Sequence, residues 1–326
     1  MGFPKDLISL KFLKKKIVIG DECLKNRMAV DLVWPLEEGV FRHSLLPPQP
    51  LDEDAEPAPA PIDAGREIEA ARHLINHVVE LAEVRPGQQI NLVIGCPARA
   101  SQADRQNLLA AANGLADRIL IQSEPFLVAY GLNLFNNALI VDIGAGTMDM
   151  CRMSGTIPSD EDQRTLYKSG DYIDKLLHKL LQQKITDSPV SLDLARRLKE
   201  QYAFVYPQTE TITADFQVDG KPKAYEITQE LREASESILP DMVAAARELV
   251  VTYDPEFQAD LRQNIFLAGG GSQIRGLGEA LRSRLTELGP TKVSTVDDPI
   301  YAGAGGALQL AQDLPPSEWP TEKDNS

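Results

Sequence analysis

Residues 138–153, ALIVDIGAGTMDMCRM, place two apolar runs on either side of a glycine turn. They predict two β-strands joined by a tight turn, because glycine adopts backbone conformations that other residues avoid. Asp142 ends the first strand. A carboxylate at this place fits either an ordinary hairpin or a phosphate site that holds Mg²⁺ through its water shell. The stretch is neither a Walker loop nor a dinucleotide fingerprint, since Gly-Lys-Ser/Thr and a third glycine before a helix are missing.

The overall charge and the cysteines limit the function classes. The chain has 326 residues and a net charge of −15, which argues against a nucleic-acid partner because such surfaces need clustered Lys and Arg. The three cysteines have no CxxC spacing, which is typical of a reduced cytosolic protein. No apolar run approaches the ~20 residues that a membrane-spanning helix needs. We therefore expect a cytoplasmic protein without a transmembrane segment.

A proline-rich stretch interrupts the chain early. Residues 46–61 hold six prolines and four acids, a composition that favours an extended, unpacked chain. The sequence predicts the following division: residues 1–43 as a remnant of a small subdomain of the first half, 44–64 as an acidic flexible insert, 65–155 as the first α/β half, 156–300 as the second half with an inserted subdomain at about 185–250, and 301–326 as a C-terminal helix and tail.

Three further motifs have both a structural and a functional interpretation. Gly269–Gly271 end an apolar strand, and three glycines exceed what a plain strand-to-helix turn needs, so they favour close approach of a sugar or phosphate. Glu124 precedes Pro125 at a helix start, where an acid complements the helix dipole and is also placed to activate a water. Lys199 and Glu200 are adjacent on a predicted helix, where solvated charges are the ordinary interpretation.

The order of these motifs resembles one family. DIGAGTMD, SGDYID, RLKEQYAF and LAGGGSQIRGL are similar to the second phosphate loop, the following Gly-Asp turn, the adenosine-contacting helix and the adenosine loop of the actin superfamily. GFPKDLISLK, VIGCPARAS and SEPFLVAYGL resemble the bacterial actins of the MreB and MamK type. The resemblance implies an actin-like, ribonuclease H-like α/β fold with two domains and a nucleotide cleft between its halves.

The resemblance also implies roles for the motif residues. Glu124 orients the attacking water, and Asp142 holds Mg²⁺ through water. The remaining residues bind ATP or ADP: Gly144, Ala145, Gly146 and Thr147 at the phosphates, Gly170 and Asp171 near the ribose and phosphates, Lys199 and Glu200 at the adenine and ribose, and Gly269, Gly270, Gly271 and Ser272 around the adenosine.

The chain departs from the family pattern at its start. The family has a first phosphate loop, Asp-x-Gly-Thr, upstream of the equivalent of Gly2-Phe3-Pro4, and residues 1–60 hold no such sequence. We expect a first domain that is truncated at its N-terminus, so ATP hydrolysis to ADP and phosphate depends on restoring that loop. A start residue placed too late and a truncated paralogue both explain this departure, and the intact remaining loops favour the former.

Two functions follow from the resemblance. The first is an ATP-binding filament protein that self-assembles, positions magnetosome organelles together with adaptor proteins, and turns over by hydrolysis. The alternative is a non-catalytic scaffold or regulator that co-assembles with a full-length actin-like paralogue.

Overall fold

The computed structural model describes residues 1–37, 40–41, 64–205 and 211–320. The predicted insert at 44–64 lies outside the described residues apart from Ala64. The chain forms two compact units: unit 1 holds Met1–Cys96, Ala100–Ile121 and Leu314–Ser326, and unit 2 holds Pro97–Arg99 and Gln122–Asp313.

Unit 1 is built from short strands and helices. Its elements, some at the unit boundary, are β1 (Gly2–Pro4), α1 (Leu7–Leu13), α2 (Asp21–Lys25), β2 (Val30–Leu32), β3 (Leu36–Glu37), β4 (Val40–Phe41), α3 (Ala64–Leu81), β5 (Asn91–Cys96), α4 (Gln102–Ala112) and β6 (Arg118–Ser123). β1 pairs with β2, β3 with β4, and β5 with β6. Residues 16–19 contribute a single bridge, between Val18 and Gly2.

Unit 2 carries the larger core. Its elements are α5 (Glu124–Gly131), β7 (Asn136–Ile143), β8 (Met148–Ser154), β9 (Gln163–Leu166), α6 (Gly170–Lys184), α7 (Leu192–Tyr202), β10 (Thr213–Val218), β11 (Lys221–Glu226), α8 (Thr228–Glu236), α9 (Leu239–Val251), α10 (Gln258–Gln263), β12 (Ile265–Ala268), α11 (Leu277–Leu285), β13 (Val293–Thr295) and α12 (Ala302–Asp313). α8 and α9 are separate helices, because Pro240 in the first turn of α9 has no N–H to continue α8.

The central sheet of unit 2 positions the predicted phosphate and glycine loops. Among the described residues its strand order is β13-β12-β7-β8-β9, with β13, β12 and β7 parallel and β7, β8 and β9 antiparallel. Leu139, Val141 and Ile143 of β7 are fully buried in its core. The carboxyl ends of β7 and β12 meet at one sheet edge, where strand-end loops of an open α/β sheet bind ligands.

The limits of the two units differ from the predicted division. The sequence grouped residues 65–155 in one half, whereas β7 pairs with β12, β8 pairs with β7, and both strands belong to unit 2. Sequence-distant strand pairing, which local pattern does not reveal, sets this boundary. The hairpin of β10 and β11 turns at Asp219-Gly220, with both residues at positive φ. No helix in the described ranges is long and apolar enough to cross a bilayer.

Candidate functional site

The predicted hairpin turn is present and tightly closed. β7 and β8 pair Asp142 with Asp149 and Ile143 with Met148. The Gly144 N–H donates to the Thr147 carbonyl at 2.9 Å. A side chain on Gly144 would place its Cβ 3.1 Å from that carbonyl oxygen, so this turn favours glycine. The turn leaves Ala145 exposed at the end of two otherwise buried strands.

A second turn, at the start of α6, braces the first. The Ser169 hydroxyl lies 2.6 Å from the Gly144 carbonyl oxygen and 2.8 Å from that of Thr147. The N–H groups of Gly170 and Asp171 donate to the carbonyls of Gly144 and Ala145 at 3.1 and 2.7 Å. A Cβ on Gly170 would lie 3.0 Å from the Gly144 oxygen. The predicted Gly170-Asp171 turn therefore supports the hairpin turn with its own backbone.

The glycine run after β12 packs against the end of β7. Gly269 has φ of +74°, and a Cβ there would lie 2.4 Å from both Asp142 Oδ1 and the Ile143 carbonyl oxygen. A Cβ on Gly271 would lie 2.3 Å from Ile143 Cγ2, whereas one on Gly270 would meet nothing within 4 Å. Two of the three glycines are thus required by close approach to β7, and Gly270 alone faces open space. Ser272 closes the loop through its N–H and hydroxyl, 3.1 and 2.7 Å from the Gly269 oxygen.

Two carboxyl groups at this sheet edge have strongly raised pKa values. Burial, followed by the charges of Asp142 and Asp149, raises the pKa of Glu124 to about 8. Burial, followed by the charge of Asp149, raises the pKa of Asp142 to about 7. Within the described part of the chain, neither Glu124 nor Asp142 has a hydrogen-bonding or cationic partner for its carboxylate. Strongly perturbed acids of this kind cluster at functional sites.

Asp149 is a site residue that sequence reasoning missed. It is buried on β8, and its Oδ1 accepts from the Ala98 N–H at 2.7 Å and from the Thr165 hydroxyl at 2.6 Å. Burial raises the pKa of Asp149, while bonds from the Thr147 and Thr165 hydroxyls and from Ala98 oppose that rise. The signal available in the sequence was an acid in the mostly apolar strand Met148–Ser154. The hairpin places this acid directly opposite Asp142.

Lys199 is held in an ion-pair network rather than in solvent. Its Nζ lies 2.8 Å from Asp174 Oδ1 and donates to the Gly170 carbonyl at 3.0 Å. Arg196 joins the network through Asp174 Oδ2 at 2.9 Å and Asp171 Oδ1 at 3.1 Å. Asp174 is buried, so these cations compensate its charge. The structure brings Lys199 to the bracing turn and leaves Glu200 exposed on the same helix.

The end of α7 is joined to the glycine loop. The Val205 N–H donates to the Arg275 carbonyl at 2.8 Å, and Arg275 Nη2 donates to the Tyr202 carbonyl at 3.0 Å. Arg275 also stacks over the Phe204 ring at 5.9 Å. All predicted site residues therefore lie in unit 2, at the carboxyl ends of β7 and β12, at the starts of α5 and α6, and on α7.

The described residues hold no cluster of three or more His, Cys, Asp or Glu side chains arranged to bind a metal. Direct chelation of an ion by Glu124, Asp142 and Asp149 together is thus not built into this geometry. A cation held by Asp142 through its water shell, as predicted, needs no such cluster.

Comparison with known proteins identifies relatives over nearly the whole chain. The MreB/Mbl protein family model matches residues 60–316. The actin-like protein MamK of Paramagnetospirillum magneticum is 40% identical over 319 residues, covering 98% of this chain and 86% of that protein. A solved MamK double helical filament is 40% identical with a TM-score of 0.86, covering 96% of this chain and 91% of that one.

A second solved structure contains a bound ligand. A non-polymerising MamK mutant bound to AMPPNP is 40% identical with a TM-score of 0.67, covering 96% of this chain and 90% of that one. The actin-like fold expected from the sequence is confirmed by these structures and by the family match. The chain belongs to the MreB/Mbl family of actin-like proteins.

Proposed function

We propose that this chain binds a magnesium nucleotide, ATP or ADP, at the sheet edge of unit 2 and assembles with copies of itself into filaments. The observation that carries the proposal is the braced turn beside two uncompensated acids, Asp142 and Glu124. The N–H groups of Ala145 and Gly146 have no acceptor within the described part of the chain. Consecutive free amides in a turn form a concavity suited to phosphate oxygens.

The donor set also fits a hydrated divalent cation. Asp142 and Glu124 are largely buried acids that lack a cationic partner among the described residues. Mg²⁺ prefers oxygen ligands, retains several waters and, when bound, supplies the missing positive charge and neutralises phosphate oxygens. The residues present therefore fit the ion that the family resemblance implies.

Glu124 has the chemistry of a base that orients water. A general base must be ionised, and a pKa of about 8 keeps Glu124 mostly protonated at neutral pH in the absence of a nearby cation. Positive charge near Asp142 lowers the pKa of Glu124 by attraction and prepares it to accept a proton from water. Hydrolysis is thereby coupled to correct loading of the site, which in our proposal controls filament turnover.

The adenosine end is formed by the glycine loop and α7. Open space around Gly270 leaves room for a ligand against its backbone, and the fixed end of α7 lies next to that loop. The assignment of Lys199 and Glu200 to adenine and ribose stays a prediction. In our proposal Lys199 acts by holding Gly170, and through it the phosphate turn, in place.

The wider role follows the solved and curated relatives. Their names describe MamK and its filaments, and this chain is 40% identical to them over nearly its whole length. We place the filaments in the cytoplasm alongside magnetosomes, with adaptor proteins or an actin-like paralogue as further partners.

Sedimentation and electron microscopy test the proposal. Filaments are expected with ATP and Mg²⁺ but not without nucleotide, and Asp142→Asn should stay in the supernatant. With the first phosphate loop restored in both chains, Glu124→Gln should form filaments that persist after the wild-type filaments have disassembled. Glu233→Gln, which neutralises an exposed acid of α8, is the matched control and should behave as wild type. A wild-type chain that remains in the supernatant with ATP and Mg²⁺ would contradict the proposal.

A further inference from the structure

Helix α1 in unit 1 carries apolar side chains that the described part of the chain leaves uncovered. Leu7, Ile8 and Phe12 are 75%, 78% and 67% exposed. They lie on one side of the helix, since positions 7, 8 and 12 recur at helical spacing. The other side, with Ser9 buried and Leu13 partly buried, packs on the unit. Apolar residues grouped on a surface in this way mark an interaction site.

Unpaired lysines give the same region a positive charge. Lys15 pairs with Glu22 at 2.6 Å. The other lysines of residues 5–16 are exposed and form no ion pair within the described residues: Lys5, Lys11, Lys14 and Lys16. We call these four lysines, together with the three exposed apolar side chains, the α1 surface. A surface of this composition fits a partner that is acidic and partly apolar.

The chain itself contains a segment with that composition. Residues 44–63, which we call the acidic segment, hold four acids directly after Leu51: Asp52, Glu53, Asp54 and Glu56. The six prolines of the acidic segment restrict its conformations before binding, which lowers the entropic cost of ordering it on a surface. Neither the proposed nucleotide site nor the proposed self-assembly gives this segment a role.

The described chain resumes next to α1 after the acidic segment. α3 begins at Ala64, and the guanidinium carbon of Arg66 lies 5.6 Å from the centroid of the Phe3 ring. Phe3 belongs to β1, and α1 begins four residues later. The stretch from Phe3 to Phe12 therefore spans at most ~22 Å. The four acids precede Ala64 by 8 to 12 positions, which extend to ~26–40 Å, so they can reach α1 from one end to the other.

We propose that the acidic segment binds the α1 surface of its own chain. Its carboxylates pair with the four lysines, and Leu51 and the neighbouring prolines cover the exposed apolar side chains. Because the segment is tethered next to α1, its effective concentration is on the order of millimolar, far above that of a second molecule in dilute solution. A separate acidic partner must displace the segment before it binds α1. The contact is independent of the proposed nucleotide site, which belongs to unit 2.

Crosslinking within one chain tests the contact. One chain carries Ala55→Cys with Ile8→Cys, and a control chain carries Ala55→Cys with Leu81→Cys. Leu81 is 68% exposed at the end of α3, ~25 Å along the helix from Ala64, so residue 55 can reach this position as well. The native cysteines are buried, so a short bis-maleimide reacts with the introduced thiols. The α1 pair should form intrachain crosslinks about tenfold faster than the control pair, because several exposed ion pairs together favour the bound segment.

Salt and chain counting decide the outcome of the crosslinking. In about 1 M NaCl, where the screening length falls to ~3 Å, the preference for the α1 pair should disappear. Equal rates at low salt, or a preference that persists at high salt, overturn the proposal because the contact is then absent or does not rest on charge. Crosslinks found only in dimers on denaturing gels overturn it as well, since a second copy would then occupy the α1 surface.

Binding of the free segment tests whether the surface is occupied. A fluorescent peptide of residues 44–63 is titrated against wild type and against a full-length chain whose four acids are neutralised: Asp52→Asn, Glu53→Gln, Asp54→Asn and Glu56→Gln. Fluorescence anisotropy should show binding to the neutralised chain about tenfold tighter than to wild type, because only its α1 surface is open. Equal binding by the two chains, or binding by neither, overturns the proposal.

Charge reversal on the neutralised chain shows where the peptide binds. Adding Lys11→Glu and Lys14→Glu should abolish peptide binding with the far-UV circular dichroism unchanged. The matched control adds Lys221→Glu and Lys292→Glu, two exposed lysines of unit 2, and should keep the binding. If this control also loses the peptide, net charge rather than the α1 surface is responsible, and the proposal is wrong. Flotation of wild type with anionic vesicles that requires Lys11 and Lys14, without preferential crosslinking, assigns the surface to lipid and also overturns it.

Discussion

Neutralising Glu124 tests the electrostatics of the candidate site without any ligand. Glu124→Gln keeps the shape of the side chain and removes its charge. In the nucleotide-free chain the ionised carboxylate is buried beside Asp142 and Asp149, which is why its pKa rises from 4.5 to about 8. The folded state therefore binds this proton more tightly than the unfolded chain does.

The sign and size of the effect follow from linkage. Stability from this protonation is fully present below the unfolded pKa of 4.5 and is lost as pH rises through about 8. Glutamine mimics the neutral form at every pH. The free energy of unfolding of Glu124→Gln should therefore exceed that of wild type by ~1 kcal/mol at pH 5 and by ~4 kcal/mol at pH 8.

Urea titrations at pH 5 and pH 8, followed by far-UV circular dichroism, measure this difference. Tryptophan fluorescence is unsuitable because Trp34 and Trp319 both belong to unit 1. Glu233→Gln, on the exposed side of α8, controls for loss of one surface charge and should shift neither curve. A Glu124→Gln chain that is no more stable than wild type at pH 8 would refute the buried, charge-repelled environment that we assign to Glu124.

Two glycine pairs give further predictions by thermal and urea unfolding. Gly306→Ala should destabilise the chain by ~3 kcal/mol, because its Cβ would lie 1.8 Å from the Leu127 carbonyl oxygen. A Cβ at Gly305 would meet nothing within 4 Å, so Gly305→Ala should be neutral or stabilising by up to ~1 kcal/mol. Equal effects of the two substitutions would contradict the close contact between α5 and α12. Gly269→Ala should lower the free energy of unfolding by ~3 kcal/mol or more and weaken nucleotide binding. Gly220→Ala, at nearly the same positive φ but in open space, should lower it by only ~1 kcal/mol. A smaller loss of stability at Gly269 than at Gly220 would exclude steric contact with β7.

The sequence allowed the hairpin and its turn to be predicted, because apolar runs and glycines are local signals. The helix start at Glu124-Pro125 was predicted on the same basis and is confirmed. α4 likewise begins at a local signal, since the Asp104 N–H donates to the Ser101 hydroxyl at 3.2 Å.

Other features depend on which strands become neighbours. The role of Asp149 follows from its register opposite Asp142 and from donors 51 and 16 residues away, at Ala98 and Thr165. The need for Gly269 and Gly271 follows from parallel pairing of β12 with β7, and not from a ligand alone. No short-range pattern contains these distances, so sequence reasoning assigned all three glycines to adenosine.

Arg152 shows the same limit within a strand. It lies in the buried β8, where its Nη2 pairs with Asp162 Oδ1 at 2.6 Å and its Nη1 donates to the Leu249 carbonyl at 2.8 Å. A single arginine in an apolar run gave no indication of these partners, one of which is 97 residues away. Its role is structural and lies outside the candidate site.

The most direct test of the central claim is equilibrium binding of ATP, measured by isothermal titration calorimetry with and without Mg²⁺ for wild type and Asp142→Asn. We predict Mg²⁺-dependent binding by wild type and about tenfold or greater weakening in Asp142→Asn, since a charge-assisted contact contributes ~1.5–3 kcal/mol. Unchanged circular dichroism must show that the variant is folded. No ATP binding by wild type, or equal affinity in the Asp142→Asn chain, would contradict it.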